Sequence, residues 1–357
     1  MSEETSAADY LNRHWQTGDS GVQHKVDELL ALAHGSSENT QLYRDMLLSV
    51  VRMAQADRNR WDAKIMRQTL YELEEAFSRL EQFKRRRKVT VFGSARTPLD
   101  RSLYALARDM GKVLSEHDYM TITGGGGGIM EAAHVGAGLD NSLGFNITLP
   151  FEQKANRVVS GTTHDLSFRF FFLRKLFFVK EADALILCPG GFGTLDETLE
   201  VLTLIQTGKS PVVPVILLDE PGGNYWKGLT RFFHDHLLAE GYILEADLNL
   251  LQLAGSPQQA MQHILTFYSN YHSSRWLNEQ FILRLNHPLN DAALERINDS
   301  FADICDGSGF IQQLCGDPQG DEPELHHLCR LTFPFNGRAQ GRLRALIDTV
   351  NVKENLL

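Results

Sequence analysis

Between positions 38 and 83 apolar side chains recur every three or four residues, at Leu42, Met46, Leu47 and Val50 and then at Met66, Leu70, Leu73, Phe77 and Leu80. Neither Pro nor Gly interrupts the stretch, so the pattern predicts one or two long amphipathic helices. Pairs such as Glu75 and Arg79, four apart, support their polar faces. Residues 1–87 are therefore expected to form a helical arm that packs on the main body or on a second copy of the chain. The run Lys84-Arg85-Arg86-Arg87-Lys88 closes it. Cations favour helix C-termini, and a solvated helix end is the expectation here.

From residue 88 to 271 short apolar runs alternate with helical stretches. Strands are predicted at 89–92, 120–123, 143–149, 184–188 and 212–218, and helices at 103–114, 129–138, 168–180, 194–206 and 226–240. Apolar strands that alternate with helices predict an α/β fold, a doubly wound Rossmann-like parallel sheet covered on both faces. Ligands of such a sheet bind beyond the C-terminal strand ends. After residue 272 the rhythm changes again, with strands expected at 281–285, 309–314 and 328–335 and helices at 292–304 and 338–350. That β-α-β-β-α order predicts a small C-terminal α+β domain of ferredoxin-like kind without its last strand.

Composition narrows the function classes. With 357 residues, 43% hydrophobic and 22% charged, the chain has the profile of a soluble globular protein able to bury a core without disulfide or metal. Its formal net charge of −10 argues against a nucleic-acid coat. No apolar run approaches the roughly 20 residues of a membrane span. The opening MSEETSAADY has neither the basic nor the apolar segment of a secretory signal. Cys188, Cys305, Cys315 and Cys329 form no CxxC pair, which fits a reducing compartment, so a cytoplasmic protein is expected. Cys315, His326, His327 and Cys329 lack the paired spacing of a zinc set. No metal or organic cofactor is expected.

Three segments carry candidate chemistry. Gly124-Gly125-Gly126-Gly127-Gly128, between a strand and a helix, exposes backbone N–H groups at a helix N-terminus, where phosphate is the natural guest. No Lys follows as in a P-loop, and no acidic residue about 20 positions on ends a strand in the dinucleotide manner. Pro189-Gly190-Gly191-Phe192-Gly193-Thr194-Leu195-Asp196-Glu197 joins another strand to a helix in the same way. Glu197 stands three residues after Thr194, the spacing of a capping box; it either closes the helix or turns its carboxylate into the cleft. The third segment, residues 168–180, is apolar nearly all round and is expected in a core or a subunit interface. Arg174 within it cannot shed its proton, so it needs an anionic partner or a path to the surface.

The PGGxGTxxE element from Pro189 to Glu197, the Arg174-Lys175 pair ahead of it and the glycine run with Met130 resemble the Lonely guy family of phosphoribohydrolases, over roughly half the chain. The resemblance implies hydrolysis of the N-glycosidic bond of nucleoside 5′-monophosphates, AMP or N6-modified AMP such as cytokinin nucleotides, to free base and ribose 5-phosphate. It implies Glu197 and Arg174 as the essential pair. It also implies substrate binding by Ser94, Gly125, Gly126, Gly127, Met130, Lys175, Gly190, Gly191, Gly193, Thr194 and Asp196. Shorter members carry Met-His where this chain has Phe171-Phe172, and two Glu where it has Asp196-Glu197; residues 149–157 resemble an insert of larger bacterial members. A purine nucleoside monophosphate is the expected substrate. At least a homodimer is expected, with no nucleic-acid or membrane partner.

Such hydrolysis develops positive charge on the ribose as the base departs. Glu197 would stabilise that charge or take a proton from the attacking water, while the glycine turns fix the sugar through its phosphate. Arg174 would clamp the nucleotide or assist the leaving base. The competing reading is a non-catalytic nucleotide sensor or carrier on the same fold.

Overall fold

The computed structural model describes residues 20–34, 37–57, 59–149, 155–314 and 323–357, and the chain divides into two units, Met1–Glu74 and Glu75–Leu357. The first is helical: α1 (Ser20–His34), α2 (Thr40–Gln55) and most of α3 (Arg60–Leu80). Val26 and Leu30 of α1 meet Leu48 of α2 in a small apolar cluster. The long periodic stretch thus becomes two helices, broken next to Asp57, whose φ of 40° no helix accommodates. Helix α1 lies within the expected helical arm, ahead of the periodic stretch.

In the second unit, β1 (Lys88–Phe92) holds the centre of a seven-stranded parallel sheet. Strands β2 (Met120–Thr123), β3 (Ser142–Ile147) and β4 (Asp165–Phe168) extend it on one side. Strands β5 (Ala184–Leu187), β6 (Val215–Leu218) and β7 (Leu251–Ala254) extend it on the other. The order is β4-β3-β2-β1-β5-β6-β7, so the direction of strand addition reverses between β1 and β5. Every residue of β1, β2, β3, β5 and β6 is buried; β5 and β6 read as unbroken apolar runs for that reason, while β1, β2 and β3 also bury Lys88, Thr90, Thr121, Thr123, Ser142 and Asn146.

Helices α4 (Ser102–Glu116) and α5 (Ile129–Ala137) cover one face. They approach closely because both carry glycine at the contact: a Cβ on Gly111 would stand 2.0 Å from the Ala133 carbonyl oxygen. On the other face lies α6 (Phe171–Lys180), whose Phe177 and Phe178 join Phe92, Phe145 and Phe168 in an aromatic cluster. The predicted helix 168–180 is therefore shorter at its start. Residues Asp165–Phe168 alternate inward at Leu166 and Phe168 and form β4, a period that the run of phenylalanines after them conceals. Helices α7 (Phe192–Gln206), α8 (Tyr225–Phe232) and α9 (Pro257–Phe267) complete the layers.

The expected solvated end at 84–88 is corrected in part. Lys84 and Arg85 are exposed, but the Arg87 guanidinium stacks 3.7 Å over the Tyr268 ring. Lys88 opens β1, is buried and pairs with Glu181 at 3.3 Å.

The last elements form an antiparallel sheet of order β10-β11-β9-β8. It comprises β8 (Tyr271–Leu277), β9 (Gln280–Leu285), β10 (Ile311–Gln313) and β11 (Cys329–Phe333), with helices α10 (Asp291–Ser300) and α11 (Gln340–Val350). Strand β11 lies between β9 and β10 and is antiparallel to both, so β9-α10-β10 is a split β-α-β unit. The strand that the sequence pattern lacked at the end stands at the beginning, as β8. It pairs with β9 through a turn at Asn278, φ 55°, and the domain has the ferredoxin-like strand order circularly permuted. Its residues YHSSRWL, buried at Tyr271 and partly exposed after it, carry no clear alternation. Asparagines close the joint between the two sheets. Asn351 Oδ1 accepts the N–H groups of Asn270 and Tyr271 at 2.9 and 2.8 Å, and its amide donates to the Phe267 carbonyl. The Asn270 amide donates to the Val350 carbonyl at 3.0 Å.

Candidate active site

A cavity of about 810 Å³ opens at the C-terminal ends of β1 and β5, the place where strand order reverses and where open α/β sheets bind ligands. Three turns meet there. The turn after β1, Gly93 to Arg96, is wedged between the other two. Ser94 N–H donates to the Pro189 carbonyl at 3.2 Å, and the Ser94 carbonyl accepts from Ile129 N–H at 3.0 Å. These approaches require glycine. A Cβ on Gly190 would stand 2.1 Å from Thr194 Oγ1 and 2.9 Å from Ser94 N. Gly128 has φ +63°, and a Cβ there would meet the Ser94 carbonyl oxygen at 2.3 Å.

Of the residues singled out in the sequence, Ser94, Met130, Arg174, Gly190, Gly191, Gly193, Thr194, Asp196 and Glu197 line this cavity. Gly125, Gly126, Gly127 and Lys175 do not; from the glycine run, Gly124 does. Gly125 and Gly126 are drawn into the protein instead. Gly125 N–H donates to Thr123 Oγ1 at 3.0 Å, and its carbonyl accepts from Asn156 N–H at 2.7 Å. The Asn156 amide donates to the Gly126 carbonyl at 3.1 Å and also faces His134 Nδ1 at 3.1 Å. His134 is fully buried, its Nε2 lying 3.2 Å from the Leu143 carbonyl, and burial pushes its pKa down to about 4. A neutral imidazole protonated at Nε2 satisfies both contacts. His134 and Asn156 carried no sequence signal.

Helix α7 begins at Phe192 with Gly191 as its N-cap. Thr194 is therefore already in the first turn and Glu197 in the second, beyond the reach of a capping box, so the capping alternative falls away. Glu197 is 5% exposed yet lines the cavity. Burial pushes its carboxyl up to about 7, against the pull of Lys175 and Arg174 and with a further push from Glu200 and Asp196.

Arg174 and Lys175, adjacent on α6, point to different tasks. Lys175 Nζ lies 2.7 Å from Asp196 and 3.8 Å from Glu197 and also pairs with Glu200, tying α6 to α7. Burial opposes its charge, but the bonds from Asp196 and Glu200 prevail and hold its pKa up. Arg174 turns to the cavity, its guanidinium 5.0 and 5.4 Å from the ring centres of Phe171 and Phe178. Burial lowers its pKa, while Glu197 and Asp196 favour its charge. Its Nε is buried with no hydrogen-bond partner among the described residues. The arrangement brings a carboxyl poised between its two protonation states beside a guanidinium with a donor to spare.

The sequence did not mark Arg96, Phe171, Phe192, Leu195 or Tyr225 as parts of the wall. The Tyr225 hydroxyl donates to the Gly190 carbonyl at 2.6 Å and braces the turn from α8. Among the described residues no three His, Cys, Asp or Glu side chains gather as a metal set; Cys315 lies outside them. No described helix is long and apolar enough to cross a membrane.

Comparison with known proteins bears on this site. Residues 127–264 match the family described as "Possible lysine decarboxylase". A probable cytokinin riboside 5′-monophosphate phosphoribohydrolase of Oryza sativa subsp. japonica is 35% identical over 175 residues, 47% of this chain and 72% of that protein. A cytokinin riboside 5′-monophosphate phosphoribohydrolase of Arabidopsis thaliana is 36% identical over 91 residues, 26% of this chain and 41% of that protein. Among solved structures, the molybdenum cofactor binding protein of the phototrophic bacterium Rippkaea orientalis aligns with 50% of this chain and 94% of its own, at 23% identity and a TM-score of 0.36.

Proposed function

The chain belongs to the Lonely guy family of nucleotide phosphoribohydrolases, and from that membership we propose that it hydrolyses the N-glycosidic bond of nucleoside 5′-monophosphates, AMP or N6-modified AMP such as cytokinin nucleotides. The products are the free base and ribose 5-phosphate. The observation that carries the reading is the meeting of Glu197 and Arg174 on the wall of one cavity between two glycine-rich turns. As the bond from C1′ to the base breaks, the ribose takes on oxocarbenium character. An ionised Glu197 stabilises that charge electrostatically or accepts a proton from the water that attacks C1′. A pKa of about 7 suits the second task, because a base titrating near ambient pH combines availability with driving force. Arg174 supplies its unpartnered Nε–H to the nucleotide. Ser94, Thr194 and the turn at Gly190, Gly191 and Gly193 hold the phosphate and orient the sugar.

We also propose that the protein acts as a homo-oligomer. On α6, Phe171, Phe172 and Leu176 are 51%, 55% and 46% exposed beside the cavity, a cluster of large apolar groups of the kind a second copy covers. The test of function is incubation with a panel of nucleoside monophosphates, followed by chromatography for free base and ribose 5-phosphate. Release of base from a purine nucleotide supports the enzyme. Tight, unconsumed nucleotide with no base released from any member supports a sensor or carrier instead.

A further inference from the structure

The reacting cluster is short of positive charge. Arg174 and Lys175 face Asp196, Glu197 and Glu200, two cations among three carboxylates, and Lys175 is committed to all three. A 5′-phosphate monoester adds about −1.5 to −2 charges at neutral pH, and placing it among those carboxylates is repulsive. The cavity has one more cation. Arg96 lies on its wall, exposed, and among the described residues its guanidinium pairs with no carboxylate. Its backbone is nonetheless fixed: Arg96 N–H donates to Ser94 Oγ at 3.1 Å, and Ser94 is itself held by Pro189 on one side and Ile129 on the other. The third turn of the site thus delivers an uncommitted guanidinium to the place where both glycine-rich turns converge.

Resting on the nucleotide reading above, we propose that Arg96 is the substrate-binding residue that neutralises the 5′-phosphate and fixes which way round the nucleotide lies. The phosphate sits at the end of the cavity formed by the turn after β1, and the anomeric carbon reaches the Glu197 carboxylate. A planar guanidinium meets two phosphate oxygens at once, an orienting contact that an ammonium does not duplicate. Substrates without the phosphate lose this contact and are discriminated against before any chemistry begins.

The experiment is calorimetric titration of wild type, R96Q and R96K with ribose 5-phosphate, with free ribose as the phosphate-free control. Thermal melts verify the fold, which an exposed side chain leaves unchanged. R96Q is expected to bind ribose 5-phosphate about 10- to 100-fold more weakly, as for the loss of one charged hydrogen-bonding partner. R96K should retain part of the affinity, since it keeps the charge but not the fork. Added salt should weaken binding to wild type more than to R96Q. If R96Q binds ribose 5-phosphate as wild type does while wild type releases base from nucleotides, the role of Arg96 is overturned and the proposed reaction stands. A wild type that neither binds ribose 5-phosphate nor releases base overturns both.

Discussion

Replacing Glu197 by Gln keeps the shape of the side chain and removes its ionisation, and burial of the site sets what this does at each pH. The wild-type carboxyl titrates at about 7 in the folded protein against an ordinary 4.5. Below pH 4.5 it is protonated in both the folded and the unfolded chain and contributes nothing to the difference. Between these values the folded chain retains a proton that the unfolded chain releases, so stability falls as pH rises. Above 7 the loss is complete and constant. A gap of about two and a half pH units at about 1.4 kcal/mol each gives about 3 kcal/mol. Gln does not titrate, so E197Q should gain on wild type by about 3 kcal/mol between pH 4.5 and 7.5. Groups remote from the site cancel in the difference. Turnover should drop by about 10²- to 10⁴-fold, the usual contribution of a positioned acid or base, while affinity for ribose 5-phosphate stays within a few-fold. Urea unfolding of both proteins across this pH range, with a base-release assay on the same samples, measures all three. Parallel stability curves would show that the carboxyl is not held up by burial; undiminished turnover would remove it from the chemistry.

Four further outcomes follow from the same geometry. The wild-type kcat/KM should rise with pH through an apparent pKa near 7, as Glu197 ionises; a profile flat from pH 5.5 to 8.5 contradicts its role as base or charge stabiliser. Lys175→Met leaves Asp196, Glu197 and Glu200 without their shared cation, so the rising limb of that profile should move up by about one pH unit, and an unmoved limb refutes the coupling. Gly190→Ala pushes a methyl against Thr194 Oγ1 and Ser94 N; kcat/KM should fall at least tenfold with stability lowered by about 1–3 kcal/mol, and normal kinetics would show that the turn adapts. Gly111→Ala collides with the Ala133 carbonyl and should destabilise by about 3 kcal/mol or more without touching the site, which chemical unfolding reads directly.

The parallel sheet is legible in the sequence because strands such as Val215–Leu218 are buried on both sides, which leaves an unbroken apolar signature. Strands β4, β7 and β8 escape because their signal is local and weak: Asp165–Phe168 runs into a block of phenylalanines, Leu251–Ala254 is only partly buried, and Tyr271–Leu277 is partly exposed after Tyr271. Glu197 and Arg174 stand out because a charge inside an apolar or glycine-rich context demands an explanation. Gly125, Gly126 and Gly127 do not face the cavity because glycine answers two needs, access for a ligand and close approach of the chain to itself, and residue identity does not separate them. His134 and Asn156 were invisible for the opposite reason. They are 22 positions apart, and only the fold brings them together.

The paired asparagines at Asn270 and Asn351 make the connection between the two sheets a weld. With Asn351 satisfying the amides of Asn270 and Tyr271 and the carbonyl of Phe267, cutting the chain near residue 272 strands those backbone groups and uncovers the buried rings of Phe267 and Tyr271. A shortened protein would then fail through loss of its floor, whatever the excised part does for regulation. Point changes on the outer surface of the small sheet are the cleaner way to ask what it contributes, because they leave this seam intact.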